Sequence, residues 1–187
     1  MSNSPEIRDL ELCFLDVETT GRLIGYHEII EIAAVRTTSD AGEIVGEWHK
    51  RIRPEHPERM SDYARSLTRY TADGWAGAEE PSRALWSEFV GFVSGCVPVC
   101  HNPSFERAFI SLAALPHGIH DLGLDYHWIG TESLAWPLYK LGNLEKLSLK
   151  SLCEFFNVGV EPEPHTALEG AQACWRVYKA LTTRLGK

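Results

Sequence analysis

Two carboxylates stand two residues apart in an apolar segment near the start of the chain. Asp16 and Glu18 belong to the stretch FLDVETTG at positions 14–21. In an extended strand, alternate side chains share a face, so both carboxylates point the same way at the strand's C-terminal end. Carboxylates that are buried together repel each other and lose their hydration unless a cation compensates them. The pair therefore predicts half of a divalent-metal site.

Two later segments carry related side chains. In HNPSFE, at positions 101–106, a predicted strand ends, the chain turns, and Glu106 opens a helix. In PHTALE, at positions 164–169, His165 and Glu169 lie at the start of the last predicted helix. Hard oxygen ligands select Mg²⁺ or Mn²⁺, and two such ions can clamp the attacking and leaving oxygens of a phosphodiester. A histidine beside them can take the proton of the attacking water.

Hydrophobic periodicity indicates which elements position these segments. Apolar runs predict strands at Leu10–Val17, Ile29–Arg36, Ile44–Ile52 and Val97–Cys100. Helical spacing follows a Ser82 cap, and further predicted helices cover Phe105–Leu115, Trp128–Tyr139, Leu147–Phe156 and Ala167–Leu185. This order of elements is typical of a single α/β or α+β domain with a mixed sheet.

Composition limits the classes of protein that the chain can represent. Its 187 residues, 44% hydrophobic and 24% charged, fit one globular domain at 10–187 after a polar tail at 1–9. There is no apolar run near 18 residues and no signal-peptide pattern, so we expect no membrane association. The five cysteines show no metal-type spacing, so we expect structural thiols in a reducing cytoplasm. The net charge of −8 argues against a protein that coats long nucleic acid, but not against an enzyme that holds a strand end.

Together the three segments resemble the motifs of the DnaQ-like 3′–5′ exonuclease family, in its histidine-containing DEDDh branch, over nearly all of residues 10–185. In that family, a strand of the form F-x-D-x-E-T-T-G supplies two metal ligands, which match Asp16 and Glu18. A motif H-N-x-x-F-D supplies a third acid, and Glu106 lies at its acidic position. A motif H-x-A-x-x-D carries the general base, which matches His165, and the last acid. The segments HEIIEIAA at 27–34, LT at 67–68 and LKSLC at 149–153 are similar to further family landmarks.

The resemblance implies an α/β fold of the RNase H-like exonuclease type, in which α-helices flank a mixed central β-sheet. It implies two bound Mg²⁺ or Mn²⁺ ions, and His165 as the residue that activates water to release a nucleoside monophosphate. Thr19 and Asn102 are the expected contacts to the substrate. The expected partners are 3′ ends of single-stranded DNA or RNA, and a polymerase or another replication or repair protein.

The sequence departs from the family pattern at two positions. Glu106 replaces an Asp and is one methylene longer, so it can still reach a metal. Gly170 stands where the last acid is expected and has no side chain. The neighbouring Glu169 is one position short, which is about 100° of rotation on a regular helix. Glu169 could serve as the fourth ligand if the first turn is irregular; otherwise three acids and water hold the metal, or catalysis is lost.

Several other residues have two open interpretations. His101 either braces its turn or takes part in catalysis, and Asn102 bonds either the substrate or the turn backbone. The basic cluster HKRIR at 49–53 is either a solvated strand face or a phosphate contact. Trp75 either stacks on an unpaired base or fills the core.

The sequence therefore leads to a metal-dependent 3′–5′ exonuclease that acts on single-stranded or frayed nucleic-acid ends. The alternative is a catalytically impaired protein of the same fold that binds nucleic acid or a polymerase partner, which the absent acid at Gly170 favours. A third class, a phosphodiesterase for small or modified nucleotides, is weaker.

Overall fold

A five-stranded mixed sheet forms the centre of the molecule, described by a computed structural model over residues 6–160 and 163–185. The strands follow the order β3-β2-β1-β4-β5 across the sheet. Their bounds are β1 Leu12–Thr19, β2 Ile29–Thr37, β3 Ile44–Arg51, β4 Val97–Cys100 and β5 Ile129–Gly130. β1 pairs antiparallel with β2 and parallel with β4, so it lies in the middle of the sheet.

Within residues 6–160 and 163–185, six α-helices surround this sheet. Their bounds are α1 Asp62–Thr68, α2 Arg83–Val93, α3 Pro103–Ala114, α4 Thr131–Lys140, α5 Leu149–Phe156 and α6 Ala167–Leu185. Serine caps fix several of the starts: the Ser61 hydroxyl accepts from the Ala64 N–H at 3.1 Å, and that of Ser82 from the Leu85 N–H at 3.3 Å. These caps satisfy backbone donors that have no partner within the helix. In the described part of the chain, no helix is both long and apolar enough to cross a membrane.

The alternation of side chains along β1 builds a separate core on each face of the sheet. Cys13, Leu15 and Val17 belong to the core that contains residues of α2 and α3. Phe14 belongs to the opposite core, where its ring meets that of Tyr178 on α6 at 5.5 Å between centroids. Asp16 continues the face of Phe14 and lies at the end of β1, beyond this apolar core.

The predicted strands are confirmed within two residues at each end, and the last helix is confirmed at both ends. The prediction of a helix over Trp128–Tyr139 is wrong at its start, because Ile129 and Gly130 form β5. They pair in parallel with Val99 and Cys100. These two residues form a strand because they pair with residues about thirty positions earlier in the chain. The spacing of apolar residues within the segment itself carries no sign of that pairing.

The domain prediction has two parts. Residues Ile7–Asp9 of the predicted tail form a short 3₁₀ turn, while residues 1–5 lie outside the described residues. That 10–187 is one domain stays a prediction. All five cysteines are free and buried, which agrees with the interpretation of them as small hydrophobic side chains.

Candidate functional site

A cleft of about 250 Å³ opens at the C-terminal end of β1. Asp16, Glu18, Glu106 and His165, which come from three separate parts of the chain, all line it. Thr19 lines it as well. The structure therefore brings together five of the residues predicted from sequence. The other two, Asn102 and Glu169, are not among the residues that line this cleft.

The end of β1 is fixed by its own hydroxyl groups. The Thr19 hydroxyl donates to the Gly21 carbonyl at 2.7 Å, and that of Thr20 accepts from the Glu28 N–H at 2.9 Å. Glu18 and Thr19 are each only 8% exposed. Because these two hydroxyl groups bond to backbone groups nearby, they hold the end of β1 in place, and with it the backbone that carries the Asp16 and Glu18 carboxylates.

Glu106 reaches the cleft from the first turn of α3. Pro103 begins this helix after Asn102, whose carbonyl accepts from the Glu106 N–H at 3.3 Å. Burial raises the pKa of Glu106 to about 8. Among the described residues, its Oε2 atom is buried without a hydrogen-bond partner. A buried carboxyl oxygen of this kind is costly unless a cation or a proton donor satisfies it.

His165 is attached to the opposite wall of the cleft. Its backbone N–H donates to the carbonyl of Leu67, in α1, at 3.3 Å. Tyr63 and Ala64 of the same helix also line the cleft. The short helix α1 therefore positions a residue that is almost a hundred positions away in sequence.

The first turn of α6 is regular. The Glu169 N–H donates to the Thr166 hydroxyl at 3.3 Å, and the Gly170 N–H donates to the Thr166 carbonyl at 3.0 Å. The spacing of Thr166 and Glu169 is that of a capping box. In a capping box, both side chains accept hydrogen bonds from backbone N–H groups at the start of the helix. The irregular turn that would swing Glu169 towards the cleft is not observed, so its role as a ligand stays a prediction without geometric support.

The donor set of the cleft suits a hard divalent cation. Asp16, Glu18 and Glu106 offer carboxylate oxygens, the ligands that Mg²⁺ and Mn²⁺ prefer. The unpartnered oxygen of Glu106 is an acceptor that such an ion would satisfy. In the residues described, no group of three or more His, Cys, Asp or Glu side chains is already gathered closely enough to hold an ion. Metal ligation is therefore inferred from the chemistry of the donors and the cleft that they share.

His101 also lines the cleft, where its hydrogen bonds brace the sheet. Its Nδ1 atom lies 2.9 Å from the Thr131 hydroxyl, and its carbonyl accepts from the Glu132 N–H at 3.2 Å. Burial lowers the pKa of His101, so its neutral form is favoured. These bonds tie the end of β4 to the start of α4, which favours the structural interpretation of this histidine.

The basic cluster at 49–53 is paired within the fold. His49 meets Glu31 at 2.5 Å, Lys50 meets Glu79 at 2.7 Å, and Arg53 bonds Glu80. These acids already offset its charge, which favours a structural role over contact with phosphates.

Trp75 belongs to the core. Its indole N–H donates to the Ile30 carbonyl at 3.0 Å, and the side chain is 5% exposed. A buried indole with a satisfied donor is not available to stack on a base, so the core interpretation of this residue is confirmed.

Sequence reasoning missed other residues of the cleft wall. Arg22 and Tyr63 both line it, and the Arg22 guanidinium lies 4.9 Å from the centre of the Tyr63 ring. The position of Arg22, directly after the FLDVETTG stretch, was a signal that could have identified it. Tyr63 gave none, because only the tertiary fold brings α1 to this site.

Gly21 leads to a prediction about the cleft wall. A Cβ atom at this position would lie 2.5 Å from the ring of His27, which is closer than any real contact. We expect Gly21→Ala to lower the free energy of unfolding by about 1–3 kcal/mol, as overpacking does. Urea denaturation would measure the change.

Gly77→Ala is the matched control, because a Cβ atom there would meet nothing within 4 Å. We expect its effect to stay within about 0.5 kcal/mol, as for most surface substitutions. Equal stabilities for the two variants would contradict the close approach of His27 to Gly21.

Comparisons with known proteins give a consistent result. The profile of the family described as Exonuclease matches residues 13–178. The chain is 32% identical over 180 residues to a PolC-type DNA polymerase III of Halalkalibacterium halodurans, covering 94% of this chain and 12% of that protein. It is also 32% identical over 191 residues to the PolC-type polymerase of Thermotoga maritima, covering 100% of this chain and 13% of the relative. The chain thus spans about an eighth of the length of these relatives.

Solved structures share the fold. Exonuclease I of E. coli in complex with a dT13 oligonucleotide superposes with a TM-score of 0.80 at 17% identity, over 95% of this chain and 42% of that one. Exonuclease I of Methylocaldum szegediense gives a TM-score of 0.76 at 15% identity, over 95% of this chain and 41% of that one. The predicted α/β exonuclease fold of the RNase H-like type, with helices on both faces of a mixed sheet, is confirmed.

Proposed function

The chain belongs to the exonuclease family, and from that premise we propose that it is a metal-dependent 3′–5′ exonuclease. The observation that carries the proposal is the convergence of Asp16, Glu18, Glu106 and His165 on one cleft. The proposed substrate is the 3′ end of single-stranded or frayed DNA or RNA, and the proposed product is a nucleoside monophosphate. The single-stranded oligonucleotide bound by exonuclease I, which has the same fold, supports this class of substrate.

Each residue of the cleft has a proposed role. Asp16, Glu18 and Glu106 hold Mg²⁺ or Mn²⁺, and a pair of such ions would stabilise charge on the attacking and leaving oxygens. The His165 imidazole accepts the proton of the attacking water as general base. Thr19 lies in the wall, where the end of β1 can contact the terminal nucleotide. The apolar Leu67 and Leu149 line the same cleft and limit the access of water to the reacting atoms.

Asp16→Asn tests whether the carboxylates of β1 support catalysis. The variant keeps the shape of the side chain but removes the negative charge that would balance the positive charge of a bound metal ion. We expect hydrolysis of a 5′-labelled single-stranded oligonucleotide with Mn²⁺ to fall by a factor on the order of 100 or more. Denaturing gels would resolve the shortened products.

The matched control is Asp73→Asn, which removes an exposed carboxylate away from the cleft. It should leave the rate unchanged. Equal, slow degradation by the unaltered protein and by Asp16→Asn would indicate a contaminating nuclease and overturn the proposal. The assay should use DNA and RNA oligonucleotides in parallel, since their ratio of rates gives the preferred sugar.

His165→Ala tests the proposed base. Loss of a general base lowers the rate of the chemical step by about 10²–10⁴-fold. Because the backbone N–H of His165 holds the bond to Leu67, the substitution should leave this attachment and the affinity for Mn²⁺ in place. Single-turnover rates and calorimetric titration with Mn²⁺ would separate these effects. An unchanged rate would exclude His165 as the base.

Gly170 favours a second candidate function, a catalytically impaired protein that binds nucleic acid or a polymerase. Residue 170 lies in the first turn of α6 and is buried, but it has no side chain to offer a metal. The PolC-type relatives support a polymerase or another replication partner for either candidate.

The five free, buried thiols suit a reducing cytoplasm as the proposed location.

Gly170→Asp distinguishes the two candidates. If the unaltered site is impaired, restoring the acid should raise the rate of oligonucleotide hydrolysis at least tenfold, which corresponds to about 1.4 kcal/mol of transition-state stabilisation. Gly170→Asn is the matched control, because it adds the same volume without the charge. If neither variant exceeds the unaltered protein while that protein is active, the native set of acids is sufficient.

A further inference from the structure

A second cavity, of about 350 Å³, lies beside the cleft. His27 lines this cavity, whereas Gly21 lines the cleft. A Cβ atom at Gly21 would lie 2.5 Å from the His27 ring, so one side chain separates the two spaces at this point. The apolar side chains of Phe109 and Leu112 form part of the wall of the second cavity. The two spaces are therefore close enough for one extended ligand to occupy both.

Two segments of the chain, each with the spacing Arg-x-x-x-Tyr, meet at this boundary. They are RLIGY at 22–26 and RMSDY at 59–63. Each arginine packs on the tyrosine of the other segment. The Arg22 guanidinium lies 4.9 Å from the centre of the Tyr63 ring, and both residues line the cleft. The Arg59 guanidinium lies 5.0 Å from the centre of the Tyr26 ring, and both residues line the cavity. We call these four residues the arginine–tyrosine surface.

Backbone hydrogen bonds hold both segments against the end of β1. The Leu23 N–H donates to Nδ1 of His27 at 3.0 Å, which closes the first segment into a turn. The Ser61 N–H donates to the carbonyl of Thr20 at 2.9 Å, which ties the second segment to the residue that follows β1. The arginine–tyrosine surface is therefore carried by backbone that is held in place beside the cleft.

The tyrosine rings of this surface remain open to a ligand, although each one contacts an arginine. Tyr26 is 50% exposed and Tyr63 is 60% exposed. Aromatic rings of this kind stack on unpaired bases of any sequence, because every base has a π-face. The surface therefore offers stacking area on both sides of the boundary between the cleft and the cavity.

The arginines of this surface differ from the basic cluster at 49–53, which is paired with acids. The Glu58 carboxylate lies 4.0 Å from Nε of Arg59, at the limit of an ion pair. A guanidinium carries five N–H groups in a plane, so an arginine that lies on a ring still presents N–H groups to a phosphate. The surface thus combines stacking area with donors for the backbone of a nucleic acid.

We propose that the arginine–tyrosine surface binds the unpaired strand that leads into the cleft. Tyr63 stacks on the base next to the 3′-terminal nucleotide, and Tyr26 stacks on a base further along, at the cavity. Arg22 and Arg59 contact the phosphates of this part of the strand. Stacking on these rings requires unpaired bases, so the surface selects single-stranded or frayed ends over paired ends. The inference deepens the proposed function and rests on it, because it takes the cleft to hold the 3′ end.

Tyr63→Ala tests this surface by binding, without an activity assay. EDTA removes divalent cations, so that hydrolysis does not consume the probe, a fluorescently labelled oligothymidine of about eight nucleotides. We expect the dissociation constant from fluorescence anisotropy to rise about 5–150-fold, as for the loss of one base–aromatic stack. Tyr63→Phe keeps the ring and should bind like the unaltered protein. A blunt duplex should bind more weakly than the single strand and should not respond to Tyr63→Ala.

Tyr26→Ala tests the extension of the strand towards the cavity. It should weaken binding of the same oligothymidine to a similar degree, because it removes a second stack. Tyr126→Ala is the matched control. It removes a tyrosine that is 74% exposed but lines neither the cleft nor the cavity, so the affinity should stay unchanged.

Arg22→Gln and Arg59→Gln test the phosphate contacts. The slope of the logarithm of the dissociation constant against the logarithm of the salt concentration should decrease by about 0.7 for each contact that is lost. An arginine that serves only to pack on a tyrosine ring would leave this slope unchanged, and that result would overturn its role in binding.

Two further results would overturn the surface as a whole. One is unchanged single-strand affinity in Tyr63→Ala, or no binding of the oligothymidine by the unaltered protein. The other is an equal loss for single strand and duplex with a lower melting temperature, which marks a purely structural contact. If the unaltered protein still hydrolyses oligonucleotides with Mn²⁺ and Asp16→Asn does not, these results reject the surface alone. Absence of hydrolysis by the unaltered protein would instead overturn the proposed function.

Discussion

Electrostatic repulsion among buried carboxylates at the end of the central strand is the constraint on which the rest of the site depends. Asp16 and Glu18 share a face of β1, Glu31 stands opposite Glu18, and Glu106 reaches the same cleft. Such a group is unfavourable in a medium of low dielectric constant unless protons or cations neutralise it. Burial is the main cause that raises the pKa of Glu106 to about 8, which favours its protonated form at neutral pH. A divalent cation would displace that proton and satisfy the oxygens together.

The scaffold holds the acids and His165 in place through three elements. β1 is central and buried on both faces, α3 begins at Asn102 and Pro103, and α1 holds the backbone of His165. None of these elements needs a metal to form, because each is supported by its own caps, ladder bonds or apolar core. The fold therefore brings Asp16, Glu18, Glu106 and His165 to one cleft, although within the described residues they are not gathered closely enough to hold an ion already.

Residues 169 and 170 are where this chain departs most from the motif that it resembles. Thr166 fixes a regular first turn of α6, which leaves Glu169 in a capping position and Gly170 without a side chain. Among the residues that line the cleft, none comes from this turn of α6.

The sequence by itself determined the central features: period-2 patterning identified the strand that carries Asp16 and Glu18, and motif spacing identified Glu106 and His165. These signals are local, so they survive without knowledge of the fold. Only the tertiary structure decided that Ile129 and Gly130 form a strand, that Trp75 is core and that the basic cluster is paired with acids. It also revealed Glu31 as the neighbour of Glu18. Strand register and ion pairing join residues that are distant in sequence, and a linear pattern contains no information on which of them meet.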